Sequence, residues 1–274
     1  MALIHLNFPS RYLRGNTDVN ILLPDRPEGA GIDEFYRPGE KYPVLWLLHG
    51  GMGDYTDWVR KTRLETYLAG TKLMAVMPSA LNSSYCDWPH FGGGYYAHEY
   101  LIRELMPMIY AWFPASDRRE ENFIAGLSMG GHGAWKMAFN YPDRFAACAS
   151  LSGAMPDFAA RYQAEQASGQ RRHITDLVEM HGGLEGLLAS RENTRGAAEK
   201  TAREGRTGSL PRLYAAAGDQ DPHVCEMRNS VSFLQTLGIS VTYAETPGFA
   251  HEWPFWDRAI ADALRFFGFS INRK

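Results

Sequence analysis

Short apolar runs at residues 44–49, 73–77, 122–126, 145–151, 213–217 and 241–244 alternate along most of the chain with stretches of helical periodicity at 58–68, 100–112, 131–140, 224–237 and 254–267. A strand can rejoin its sheet in the same direction only through a crossover, and a helix is the usual crossover, so this alternation predicts a parallel sheet with helices on both faces. Two β-rich runs, 2–8 and 17–23, flank Arg14-Gly15-Asn16 and predict an antiparallel pair at the sheet edge. Residues 156–209 break the pattern: they are rich in Arg, Glu, Gly and Ala and hold no strong apolar strand. They read as helical excursions or an inserted flap or cap within one domain spanning 1–274. An insertion after the 145–151 strand emerges at the carboxyl ends of the strands, where folds of this class bind ligands, so the flap is placed to shape a substrate pocket.

Composition narrows the function. With 274 residues, 45% of them hydrophobic, the chain can bury a sizeable core. A net charge of −3 provides no basic field for phosphates, which argues against nucleic acid or an anionic membrane as partner. Cys86, Cys148 and Cys225 are too few and too scattered for a disulfide framework. They read as reduced thiols, and with no signal-peptide pattern at residues 1–14 the expected location is cytoplasmic. Homo-oligomerisation stays open.

Gly126-Leu127-Ser128-Met129-Gly130 follows an apolar strand and precedes a helical pattern. That context makes the pentapeptide a nucleophile elbow, in which small flanking residues let a tight turn lift the serine hydroxyl above the strand ends. A Gly-rich strand–helix turn with Ser128 as a simple cap is the alternative. A serine needs a general base and an orienting acid, and in this context they follow it in the order acid, then histidine. Among the later histidines His251 lies in a loop between the last strand and the last helix, with His223 the runner-up. The acid belongs after the 213–217 strand, in Gly218-Asp219-Gln220-Asp221-Pro222. Asp221 is favoured, being further into the loop that must reach His251, whereas Asp219 beside a glycine could tie down the turn. Oxyanion donors are expected from the amide of Met129 and from Gly51, in the glycine-rich turn ending the 44–49 strand. No phosphate-loop or H-E-x-x-H pattern is complete, so no cofactor and no metal are called for. The aromatic stretch 85–96 could wall an acyl or aryl pocket through Trp88, Phe91 or Tyr95, or simply anchor a long loop; Trp253 and Trp256 are expected to pack the last helix on the sheet.

Together, Gly15-Asn16-Thr17, Leu47-Leu48-His49-Gly50, the segment from Phe123 to Gly131, Tyr141-Pro142-Asp143-Arg144-Phe145, Gly218-Asp219-Gln220-Asp221 and His251-Glu252-Trp253 resemble, in order and spacing, the esterase D-like α/β hydrolases, within them the tributyrin and feruloyl esterase group. The resemblance implies an α/β-hydrolase fold and a cofactor-free serine carboxylesterase acting on small-molecule esters. It carries over Ser128, Asp221 and His251 as triad, with the acid placed by the family's Gly-x-x-Asp pattern, and the amides of Gly51 and Met129 as oxyanion hole. Residues 88–96 and 156–209 depart from the pattern, and these are the regions that would select substrate. S-formylglutathione hydrolases resemble the chain around Ser128 to Gly133 and would imply a thioester; a non-hydrolytic acyltransferase or binding relative is the other alternative. A pocket closed by the flap and the aromatic loop predicts preference for acetyl to butyryl esters, with hydroxycinnamates accepted if the aromatics form an aryl wall.

Overall fold

The alternation resolves into one sheet in the computed structural model, which describes residues 1–27 and 29–271. Its strands are β1 (Ala2–Ser10), β2 (Gly15–Leu23), β3 (Val44–Leu48), β4 (Met74–Pro78), β5 (Asn122–Leu127), β6 (Ala147–Leu151), β7 (Arg212–Gly218) and β8 (Thr242–Thr246), in the order β1-β2-β4-β3-β5-β6-β7-β8. β1 pairs antiparallel with β2, and β2 with β4; every later pairing is parallel. This is the α/β-hydrolase architecture. Side chains alternate across the sheet, so Val44, Trp46 and Leu48 enter one core while Leu45 and Leu47 enter the other. Both faces are covered, which is why β3 to β6 read as unbroken apolar runs.

Besides a single turn at Ile32–Phe35, the α-helices are α1 (Asp57–Lys61), α2 (Leu64–Leu68), α3 (residues 97–112), α4 (Met129–Asn140), α5 (Phe158–Ser168), α6 (His173–Met180), α7 (Leu184–Ala189), α8 (Thr194–Arg203), α9 (Val224–Thr236) and α10 (Trp253–Phe267). α3, α4 and α9 cover one face; α1, α2 and α10 cover the other. The single helix expected over 58–68 is two. The Thr62 hydroxyl bonds back to Trp58 O, and Asp257 captures the Arg63 amide at 2.7 Å and its guanidinium at 2.9 Å, drawing the chain out of helical register. Within α3, Tyr100–Leu105 widens into a π turn just ahead of Pro107, whose ring and missing N–H cannot fit a regular ladder. Among the described residues no helix is long and apolar enough to cross a membrane, and Cys86, Cys148 and Cys225 are free.

Residues 156–209 form α5 to α8. Asp157 and Asn193 cap the first and last of these, accepting the amides of Ala160 and Gly196 at 3.0 and 3.1 Å. Phe158, Ile174, Leu177, Val178 and Leu187 make a small core that also takes in Cys86. Charge fastens this segment to the elements before it: Glu192 pairs with Lys136 of α4, and Arg191 pairs with Asp87 and Glu99. Lys136 is fully buried. Its ammonium also donates to Ser84 O at 3.1 Å and Tyr85 O at 3.2 Å and lies 2.8 Å from Cys86 Sγ. Burial alone would drive a proton off Lys136, but Cys86 and Glu192 outweigh it and hold the amine above its ordinary range. Burial likewise opposes the charge of Glu192, and Lys136 overcomes it, lowering that carboxyl to about 2.

Candidate active site

At the carboxyl end of β5 the chain turns through Ser128, at φ 50° and ψ −117°, directly into α4. Glycine is required on either side by close approach. A Cβ on Gly126 would lie 2.3 Å from Gly130 O, and one on Gly130 would lie 2.5 Å from His49 O. Strain concentrates here. Among the described residues seven hold positive φ without being glycine: Arg14 in the turn between β1 and β2, and Met52, Leu81, Ser84, Tyr85, Ser128 and Ser152, which follow the ends of β3, β4, β5 or β6. Such outliers persist where surrounding structure enforces them, and they cluster at functional sites.

The structure brings Ser128, His251 and Asp221 together across the ends of β5, β8 and β7. Ser128 Oγ lies 2.9 Å from His251 Nε2, and His251 Nδ1 lies 2.8 Å from Asp221 Oδ2. An ionised carboxylate only accepts, so Nδ1 carries the ring proton and Nε2 is left to accept from the serine hydroxyl. Asp221 is 2% exposed. Burial works against its charge, yet hydrogen bonds from His251, the His223 amide and the Ser152 hydroxyl outweigh burial and hold the carboxyl below the usual aspartate range. His223 therefore enters through its backbone, its amide donating to Asp221 Oδ1 at 2.8 Å, while its ring stands edge-on to that of His251. Asp219 points elsewhere: its Oδ1 accepts the Gly248 amide at 2.7 Å, and with Asp219 N to Thr246 O and Gln220 N to Phe249 O it laces the acid loop to the histidine loop.

Gly51 lines the cleft over Ser128, and Met129 follows Ser128 as the first residue of α4. Among the described residues neither amide has a protein acceptor. The turn holding Gly51 is braced by two side chains whose bracing role the sequence did not show, Asn82 and His49. Asn82 Oδ1 accepts the Met52 amide at 2.5 Å. The Ala80 amide donates to His49 Nε2 at 2.9 Å, so Nδ1 bears the proton and donates to Gly50 O at 2.7 Å. Burial lowers the pKa of His49 and keeps it neutral in this role. Ser152 was missed likewise: it bonds Asp221, and Trp256 Nε1 donates to its Oγ at 3.2 Å. A serine one residue past a strand carries no signal of such a task.

The cleft at Ser128 has a volume of about 750 Å³ and is walled by Gly51, Met52, Lys61, His251, Trp253 and Trp256 among others. Trp256 is buried in the core and packs edge-on against His251, whereas Trp253 is half-buried; both also line the cleft, a task beyond the packing expected of the pair. A neighbouring cavity of about 500 Å³ is lined by Met52, Leu81, Trp88, Phe91, Tyr95 and His173. The aromatic stretch thus does wall a cavity. It does not seal the strand ends, because Met52 is 93%, Phe91 61% and Leu81 54% exposed. Residues 156–209 supply only His173 to this cavity and no wall of the Ser128 cleft.

Comparison with known proteins places this geometry in a family. The Esterase family model, described as "Putative esterase", matches residues 10–267. The chain is 31% identical over 273 residues to an acetyl esterase of Caldicellulosiruptor saccharolyticus, an alignment that takes in 97% of this chain and 98% of the relative. Among solved structures, a fluorophosphonate-binding serine hydrolase of Staphylococcus aureus superposes with a TM-score of 0.80 at 25% identity over 98% of this chain and 99% of that one. An S-formylglutathione hydrolase of the same species superposes with a TM-score of 0.77 at 26% identity over 97% and 98%. The chain therefore belongs to the esterase family and is a serine carboxylic ester hydrolase of α/β-hydrolase fold.

Proposed function

We propose that the protein hydrolyses small esters of short-chain acids through an acyl-enzyme, with Ser128 as nucleophile, His251 as general base and Asp221 as the carboxylate that orients it. The observation that supports this reading is the chain of two hydrogen bonds, 2.9 and 2.8 Å, linking the hydroxyl, the imidazole and a buried carboxylate. His251 takes the Ser128 proton as the oxygen attacks the carbonyl, and the amides of Gly51 and Met129 receive the developing oxyanion. The proton returns to the leaving alcohol, and water repeats the sequence on the acyl group. This chemistry asks for no cofactor. Match to an acetyl esterase along nearly the whole chain supports the short acyl group, and the cavity of Trp88, Phe91 and Tyr95 is of a size and character for one aryl or hydroxycinnamoyl group. Residues 156–209 belong to the same single domain and reach the aromatic cavity only through His173, and the three free thiols fit a cytoplasmic protein.

The test is a panel of aryl acetate, butyrate and octanoate, a methyl hydroxycinnamate and S-formylglutathione, with fluorophosphonate labelling alongside. The expected result is a kcat/KM maximum at acetate or butyrate, labelling of Ser128, and a fall of more than about 10⁴ in kcat for Ser128→Ala with an unchanged thermal midpoint. Wild-type turnover in Ser128→Ala would remove the covalent mechanism. A dominant S-formylglutathione rate would make the thioester the substrate, the arm that similarity to the Staphylococcus aureus S-formylglutathione hydrolase justifies including.

A further inference from the structure

Among the described residues Met52 is the one shared between the walls of the Ser128 cleft and those of the aromatic cavity. Its backbone sits at φ 58°, in the left-handed region, with the amide held by Asn82 Oδ1. Glycine adopts that conformation without a Cβ penalty, and Gly50, Gly51 and Gly53 surround it. At 93% exposure the thioether side chain gains nothing from burial in the free protein. Both local considerations favour glycine at this position, yet a long, flexible apolar side chain stands there, at the junction of two cavities.

The direction of the reaction says which part of an ester would meet it. His251 must return its proton to the leaving oxygen, so the alcohol lies on the side of His251, Glu252 and Trp253, and the acyl group points the other way, across the oxyanion turn. We propose that Met52 is a specificity-determining residue whose side chain folds across the acyl group of a bound ester running from Ser128 over the 50–53 turn into the cavity of Trp88, Phe91 and Tyr95. Methionine suits this task, being unbranched, polarizable and adaptable against aromatic rings. An acetyl group ends before the turn and gains nothing from Met52; an aryl-acyl group buries the thioether and is held by it. The inference rests on the proposed roles of Ser128 and His251.

The experiment separates the two. On a Ser128→Ala background, binding of a methyl hydroxycinnamate is measured by calorimetry with Met52 intact, with Met52→Gly and with Met52→Leu, which needs no turnover. In the Ser128 protein, the ratio of kcat/KM for the hydroxycinnamate to that for an aryl acetate is measured for the same substitutions. Met52→Gly is expected to weaken binding about tenfold and lower the ratio about tenfold, Met52→Leu to stay within about twofold on both, and the thermal midpoint of Met52→Gly not to fall. Binding and ratio unchanged in Met52→Gly would overturn the assignment, as would no hydroxycinnamate binding with Met52 intact, or acetate and hydroxycinnamate rates falling together, which would mean that the turn had lost its shape. Absence of fluorophosphonate labelling at Ser128 would instead count against the proposed function.

Discussion

Asp219 and Asp221 are two residues apart, and what separates them is what each carboxylate touches. Asp221 is buried and accepts from His251, whereas Asp219 accepts a backbone amide and holds the loop carrying Ala250 and His251 in place. Asp221→Asn is expected to lower kcat by about 10³–10⁴, because an amide at this position can donate to Nδ1 and favour the wrong tautomer. Asp219→Asn keeps an oxygen that can accept from Gly248 and is expected to cost less than about tenfold. Steady-state rates on an aryl acetate decide between them, and the reverse ranking would move the acid to Asp219. That Ser128, Asp221 and His251 would meet was legible in the residues, since each stands after the end of a different strand. Ser152, Asn82 and His49 were not, because their tasks depend on which loops the sheet order places side by side.

At the scale of elements, α4 carries two jobs on different turns. Its first turn receives Ser128, and two turns later Lys136 reaches into the 84–86 loop and the insertion. Removing the amine leaves Glu192 buried without its partner and withdraws the donor from Ser84 O and Tyr85 O. Lys136→Met is therefore expected to destabilise by about 3–5 kcal/mol, whereas Lys136→Met with Glu192→Leu should recover much of the loss, since an apolar pair avoids the desolvated charge. Urea midpoints at constant m-value measure both; a single variant as stable as wild type would show that the pair contributes nothing. That residues 156–209 are helical was legible in their composition, but the bounds of the four helices were not, because only the capping residues Asp157 and Asn193 and short apolar spacings mark them. What they bury is supplied partly by Cys86, far away in the chain.

For the whole molecule, buried neutral histidines set a limit on acid stability. Burial lowers His49 and His132 below the ordinary 6.5 and brings His98 down to about 3. In the unfolded chain each is protonated below 6.5, and in the folded chain it is not, so the unfolded state binds more protons and stability falls as pH falls. For His98 this loss begins near pH 6.5 and continues toward about 3, amounting to about 2 kcal/mol at pH 5; His49 and His132 add in the same sense. The thermal midpoint should be level from pH 8 to 7 and drop steeply below 6.5. A midpoint at pH 5 equal to that at pH 7 would contradict the buried neutral state.

Strand direction, helix placement and the turn at Ser128 were decided by local chemistry: apolar runs that satisfy both faces of a parallel sheet, and glycines where the Ser128 turn packs too closely for a Cβ. A one-dimensional pattern carries such information because it concerns neighbours along the chain or a repeat of two and 3.6. Only the tertiary structure decided that Met52 parts two cavities, that His173 is the insertion's sole contribution to the aromatic one, and that Ser152 reaches Asp221. Each of these depends on sheet order β4-β3-β5-β6-β7, which sets side by side the loops that follow strands distant in sequence. Periodicity reports which face a residue buries, and contact between those loops is a matter of where the strands end in space.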